Sequence, residues 1–469
     1  NLSVDCSYFD LHSKTYLRSF VLGDFMKVNV QKSVFTHQGG KAVEVNAYER
    51  LKRTIMACML FEDNFYEEGV KAADRIAELS KQCTTDQICT LALEAATKYH
   101  LRHIPLQMIV EALAKRDHGN GTHIISNIIN KIITRPDMMT DLLALYWKSG
   151  KKPLSNQLKR GLAKAFTKFD EYQLSKYNRD NPIKLRDVLF LCHAKPKDAD
   201  QAELWKRLIN KTLKTADTWE TRLSAGEDKK ESFQELLFKG KMGKLAILRN
   251  MRNMQQAGIA KEAVAFELMR NMKEMLPFQY LAAARECPQW EDIIDPAMVA
   301  SASFKPKIEG KTFILVDVSG SMVYPLSAKS TMTRMDAAAG LAILLRECCN
   351  DCEFYTFSER FVPIPKRHGM GLRDVIKSSQ PNQGTYLGNA LNHIIKSGAK
   401  WDRLIVITDE QTADNIPNMP MGKNYILNIG NYQNGIGNKN QWTTISGFSE
   451  ASIDFIREYE ASTEAKKED

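Results

Sequence analysis

From Asn46 to about Tyr280 the apolar residues recur with a period near 3.6, in segments of 12 to 20 residues separated by short polar breaks. That rhythm leaves one kind of element open to more than half of the chain. The spacing predicts helices over 47–60, 66–80, 84–98, 104–115, 121–133, 136–147, 154–167, 184–192, 199–210, 215–222, 230–236, 241–250, 258–268 and 274–286. Strand-like alternation is nearly absent. Many helices with short connections stack as antiparallel pairs in a solenoid more readily than they close one bundle. No sequence repeat of fixed period accompanies them, so the solenoid rests on helix rhythm. The first 40 residues have weak periodicity, and His37-Gln-Gly-Gly40 reads as a turn.

Between Asp292 and Lys307 the pattern changes, and Pro296 and Pro306 mark a boundary. Strands are predicted at 312–317, 353–358, 402–408 and 424–429, with helices at 333–347, 371–378, 386–397 and 448–459. Apolar strands alternating with amphipathic helices form a mainly parallel sheet covered on both faces. A chain of 469 residues exceeds what one core sustains. Two domains follow, a helical one over 1–304 and an α/β one over 305–469.

The segment Thr-Phe-Ile-Leu-Val-Asp-Val-Ser-Gly-Ser-Met, 312–322, is a buried strand ending in Asp317, Ser319 and Ser321. Alternate oxygens converge in an extended loop, and Gly320 lets the backbone turn tightly. Thr385, after Gly384, precedes an apolar helix, and Asp409 ends the strand 403–407. Both Asp317 and Asp409 fall at carboxyl ends of strands, where open α/β sheets bind ligands. Five oxygen donors of mixed charge suit Mg²⁺, or else Mn²⁺, with a position left for a carboxylate or phosphate from elsewhere. Asp317 and Ser319 also suit a helix cap, but capping leaves Ser321, Thr385 and Asp409 unexplained. The set lacks the carboxylates of a two-metal phosphodiesterase, and no histidine is placed beside it; Glu410 adjoins it. No catalytic residue is assigned.

Charge is unevenly shared. Residues 301–469 carry 19 Lys+Arg against 19 Asp+Glu, so the whole formal excess of +9 lies in the first 300 residues. That half is the one to meet a polyanion. Lys151, Lys152, Lys159, Arg160, Lys164 and Lys168 form its richest stretch, with Arg160, Lys164 and Lys168 on one helical face. Such a stripe tracks a phosphate backbone or simply faces water. A second patch holds Lys176, Tyr177, Arg179, Arg186, His193 and Lys195, with Tyr177 placed to stack on a base. Residues 239–252 form a third, with Lys244, Arg249 and Arg252 along a helix. The nine cysteines include no CxxC pair, and Cys348, Cys349 and Cys352 lack a nearby fourth ligand, so buried free thiols are expected rather than zinc. No signal peptide and no apolar stretch of about 20 residues occurs, so the expectation is a cytoplasmic protein without a membrane partner.

The cluster Asp317, Ser319, Ser321, Thr385 and Asp409 resembles the metal-ion-dependent adhesion site of von Willebrand factor A domains. In that family the five supply the ligands of three loops, and the ion holds an acidic partner instead of performing catalysis. The helical part, over about residues 34–300, resembles the TROVE module of the Ro autoantigen family. The similarity is carried by Phe61-Glu-Asp-Asn-Phe-Tyr66, by Arg186-Asp-Val-Leu-Phe-Leu-Cys-His193 with Lys195-Pro196, and by Leu245-Ala-Ile-Leu-Arg-Asn-Met-Arg-Asn-Met254. The resemblance implies a ring of HEAT-like helical repeats closed by a Rossmann-like A domain. It also implies a Y-type small noncoding RNA bound outside, with single-stranded 3′ ends of misfolded RNAs entering a positively lined channel. Lys176 and His193 match the outer-surface contacts, whereas Asp180, beside Arg179, stands where the family carries a basic residue.

The leading expectation is therefore a nonenzymatic RNA-binding scaffold for RNA quality control, presenting RNAs to an exoribonuclease. Its rival is a metal-dependent adhesion or assembly scaffold that grips an acidic protein, and a metal-dependent nuclease stands third.

Overall fold

The first element among the described residues is a small antiparallel hairpin, β1 (Val34–Phe35) with β2 (Lys41–Ala42). The structure, a computed structural model, describes residues 34–468 apart from 43–45, 57–71, 116–122, 149, 271–274, 327–329, 421, 431, 433–434, 438–440 and 448–450. The Phe61–Tyr66 motif and the starts of the helices expected at 66 and 121 lie outside the described residues.

Among the described residues ten helices follow the hairpin: α1 (Ala47–Met56), α2 (Ala72–Lys81), α3 (Thr85–Thr97), α4 (His103–Ala114), α5 (Ile124–Ile132), α6 (Asp137–Tyr146), α7 (Asn156–Phe166), α8 (Glu171–Tyr177), α9 (Leu185–Leu191) and α10 (Ala199–Asn210). They pack as near neighbours, α3 on α4, α4 on α6 and α5 on α7. Their apolar stripes meet in one core that includes Leu51, Ile88, Leu106, Ile129, Leu162 and Trp205. Helix α8 escapes the periodicity because its seven residues bury a single side chain, Leu174. A capping box was its only sequence signal: Asp170 accepts from Gln173 N, and the Gln173 side chain accepts from Asp170 N.

Six more helices, α11 (Trp219–Ser224), α12 (Lys229–Phe238), α13 (Lys244–Gln256), α14 (Lys261–Met269), α15 (Pro277–Glu286) and α16 (Glu291–Ala302), lead into the sheet. Helix α16 fills most of the stretch expected as a linker and carries Pro296 inside it. Burying Ile294, Ala297, Met298 and Ser301 outweighs the one backbone hydrogen bond that proline removes. From Phe233 onward the helical side chains share a core with the sheet, so the two hydrophobic cores divide near residues 210–230.

The α/β part runs β3 (Ile308–Asp317), α17 (Arg334–Cys348), β4 (Cys349–Phe357), β5 (Phe361–Ile364), α18 (Gly369–Ser378), α19 (Leu387–Lys396), β6 (Arg403–Thr408), β7 (Lys423–Asn428), β8 (Thr443–Ser446) and α20 (Ala451–Glu468). Strand order is β5-β4-β3-β6-β7-β8, parallel except for the edge strand β5. Strands β5 and β8 were not expected; both have four residues, and Pro363 weakens the strand pattern of β5, which tolerates it as an edge. Ile314 and Val316 point to the face shared with α17, while Phe313 and Leu315 meet α19 on the other. Helix α17 is buried nearly all round because α15, α16 and α18 cover the side away from the sheet. The helical run also touches the α/β part at its start, where α1 packs on β8. It leaves from and returns to the same body.

Candidate metal centre and basic surfaces

Strands β3 and β6 are adjacent, and their chains depart to opposite sides of the sheet, so Asp317 and Asp409 flank the switch point. Hydrogen bonds draw three loops together there. Gly320 N donates to Gln383 O at 2.8 Å and Asn382 Nδ2 to Val318 O at 2.6 Å, joining the first loop to the second. Ala413 N donates to Thr385 O at 2.8 Å, joining the second to the third. All five expected donors, Asp317, Ser319, Ser321, Thr385 and Asp409, are buried.

Ser319 N donates to Asp317 Oδ1 at 2.9 Å, and the Thr408 hydroxyl donates to Oδ2 at 2.6 Å. The Ser319 and Ser321 hydroxyls stand 3.4 Å apart. Burial, then the charge of Asp409, pushes Asp317 up to about 7. Burial also raises Asp409, opposed mainly by Arg334, whose guanidinium lies 3.2 Å from Asp409 Oδ2 and also bonds Tyr432. Among the described residues no three His, Cys, Asp or Glu side chains gather as a metal site. Any ion here must therefore draw on hydroxyls. Two carboxylates whose pKa values are both raised by burial, with serine and threonine oxygens beside them, fit a hard divalent cation. Sequence reading gave no role to Arg334, which only the fold brings to Asp409, or to Thr408, whose hydroxyl only the fold brings to Asp317. Glu410, adjoining the site in sequence, forms a buried ion pair with Arg53 of α1 and accepts from Gly437 N at 3.1 Å. The thiols of Cys348 and Cys349 are buried and pushed up to about 12 and about 11 by desolvation, a setting that disfavours thiolate ligands.

The first basic stretch is drawn into packing. Arg160 bonds His123 at 2.7 Å, Lys164 donates to Asn127 Oδ1 at 3.4 Å, and Lys168 donates to the carbonyls of Asn130 and Ile133 at the end of α5. Burial lowers the Lys168 pKa, and its amine serves α5 as a C-terminal cap. Lys151 and Lys152 lie over the rings of Trp147 and Tyr146 and remain exposed.

Part of the second patch assembles, Arg179 with Arg186. Arg179, Lys184 and Arg186 line one cavity of about 300 Å³ with Asp180 and Lys211, and Lys184 and Asp180 pair at 2.6 Å. Lys211 adopts a left-handed backbone at φ 61°, and so does exposed His193 at φ 51°. Lys176 lies against Tyr172 and Tyr177, but one face of Tyr177 is already taken by Arg135 at 4.9 Å. Sequence reading also missed Phe190, 57% exposed in the turn before His193. Its signal was an aromatic left over once Leu185, Val188, Leu189 and Cys192 turn inward.

The third patch opens on a cavity of about 800 Å³, where Arg249 and Arg252 of α13 face Tyr99 and His100 from the α3–α4 turn, with Phe278 and Gln279 of α15. Arg252 pairs with Glu286 at 2.8 Å, and Arg249 is exposed. Lys244, in the first turn of α13, is partly exposed and does not line the cavity.

Two family models match the chain, the Ro60 vWA domain over residues 311–419 and the TROVE domain over 200–287. In these two stretches the chain is similar to the Ro autoantigen family. Ro proteins are known as RNA-binding, and TROVE and vWA domains are generally binding modules rather than enzymes. The crystal structure of the Deinococcus radiodurans Ro (RSR) protein superposes with a TM-score of 0.58 at 16% identity, covering 88% of this chain and 98% of that one, which establishes a shared Ro fold. No curated protein matches the chain in sequence. No described helix is long and apolar enough to cross a membrane.

Proposed function

We propose that this chain is an RNA-binding scaffold that holds a small noncoding RNA of Y type on its outer surface and receives single-stranded 3′ ends of misfolded RNAs in the cavity between α13, α15 and the α3–α4 turn. One observation carries the reading. The 800 Å³ cavity sets two arginines beside aromatic and apolar side chains, the combination that holds a phosphate and stacks a base. The outer RNA contacts are Lys176, Arg179, Arg186 and His193, extended by Lys211 and Phe190. Lys151 and Lys152, exposed, and Lys244, partly exposed, add positive charge to the helical part. Asp317, Ser319, Ser321, Thr385 and Asp409 would hold Mg²⁺, or Mn²⁺, and tie three loops at the sheet edge; such an ion supplies charge neutralisation there. Acting in the cytoplasm, the scaffold would deliver captured RNAs to an exoribonuclease for quality control.

Filter binding over a salt series tests this. For single strands the logarithm of affinity falls by about 0.7 per phosphate contact for each decade of salt. Replacing Arg249 and Arg252 by alanine is expected to weaken binding of a single-stranded 3′ end and flatten that slope by about one to two contacts, leaving a structured hairpin RNA unaffected. Arg179→Ala with Arg186→Ala should do the reverse. Binding that ignores both salt and all four replacements would remove the RNA reading.

A further inference from the structure

The β1–β2 hairpin lies directly on the second and third loops of the candidate metal centre, about 350 to 375 residues away in sequence. Thr36 Oγ1 donates to Thr412 O at 2.6 Å, Gly40 N donates to the same carbonyl at 3.1 Å, and His37 N donates to Gln411 Oε1 at 2.8 Å. At the tip Gln38 closes a two-way bond over a candidate ligand: its Nε2 donates to Thr385 Oγ1 at 3.0 Å, and Thr385 N donates to its Oε1 at 3.2 Å. The His37 ring meets Tyr432 edge-on at 5.5 Å, and Tyr432 in turn bonds Arg334, the partner of Asp409. The hairpin therefore reaches the site from the Thr385 side and, through Tyr432, from the Asp409 side. Its close seating needs a glycine: a Cβ on Gly40 would stand 2.5 Å from Thr412 O and 2.6 Å from Asp414 O, both backbone atoms.

We propose that the hairpin is a tethered occupant of the metal-bearing face, with Gln38 as the group that covers Thr385 and governs access to the ion. This rests on the reading of Asp317, Ser319, Ser321, Thr385 and Asp409 as a divalent-cation site. Gln38 brings amide dipoles without charge, so it satisfies the Thr385 hydroxyl and amide without competing for the cation as a carboxylate would. The face is closed by the chain's own N-terminal segment. It opens to solvent or to an acidic partner only when residues 34–42 lift.

Mn²⁺ is the probe, used on the full chain. Wild type, Gln38→Ala, Gly40→Val and Asp317→Ala are compared by Mn²⁺ titration, Mn²⁺ dissociation rate and the proton relaxation of water on the bound ion, with hydrogen exchange of residues 34–42 reporting the hairpin. Gly40→Val and Gln38→Ala are expected to release Mn²⁺ about tenfold faster, the equivalent of the two amide hydrogen bonds at Thr385, and to admit more rapidly exchanging water. Gln38→Ala makes no steric demand and guards against misfolding of the valine variant. Asp317-dependent Mn²⁺ binding with the same dissociation rate and relaxation in all three remaining proteins overturns the lid and leaves the metal site standing. Absence of Asp317-dependent binding in every protein, the hairpin variants included, overturns both.

Discussion

Asp317 shows what single residues at the sheet edge must balance. Its carboxyl is completely enclosed, and both burial and Asp409 favour the neutral acid, so its pKa is raised to about 7. A raised carboxyl pKa contributes stability that is full below the ordinary carboxylate range and is lost as pH rises through about 7. A divalent cation competes with that proton for the same oxygens. The rise in melting temperature caused by Mn²⁺ should accordingly be larger at about pH 8 than at about pH 6, and should vanish in Asp317→Ala. At roughly a hundred times its dissociation constant the ion adds about 2.7 kcal/mol. Thermal unfolding at the two pH values reads this directly, and a metal effect that is greater at the lower pH contradicts it. The donors were legible because their spacing is local: Asp317, Ser319 and Ser321 alternate within five residues. Arg334 was not, since its relation to Asp409 exists only once α17 starts beside the end of β6.

At the scale of elements, α7 illustrates how a charged stripe acquires a different meaning in tertiary context. Arg160, Lys164 and Lys168 share a face as the helical period requires, yet α7 crosses α5 so closely that all three reach its side chains or terminal carbonyls. Gly161 permits that approach; a Cβ there would stand 2.6 Å from Ile129 Cβ. Gly161→Ala should cost about 1–3 kcal/mol by overpacking, although alanine is the better helix former. Urea unfolding measures it, and a stabilised variant would show that the crossing has slack. Periodicity located nearly every long helix, because burial of one stripe is what both the pattern and the fold express. It missed α8, which has too few turns for a period to show, and α16, whose proline reads as a breaker until a core is present to hold it.

For the molecule as a whole, the joint between the start of the helical run and the sheet is electrostatic as well as apolar. Arg53 and Glu410 form a buried pair, joining α1 to the loop after β6. Arg53→Met leaves the Glu410 carboxylate buried without its cation and should cost about 3–5 kcal/mol, whereas adding Glu410→Gln should recover much of that loss. Equal destabilisation of the single and double variants in urea unfolding would mean that packing of the arginine stem, not its charge, makes the joint. The sequence by itself determined the helical run that begins near residue 46, the parallel α/β part after it, and the alternation of Asp317, Ser319 and Ser321 at the end of β3, because each follows from short-range periodicity or spacing. Tertiary structure alone decided which basic residues remain exposed, where the cores divide, that α1 returns to the sheet, and that Gln38 covers Thr385. Those relations join residues tens to hundreds of positions apart. They depend on chain closure and close packing, whose energies are set by contacts that no local pattern records.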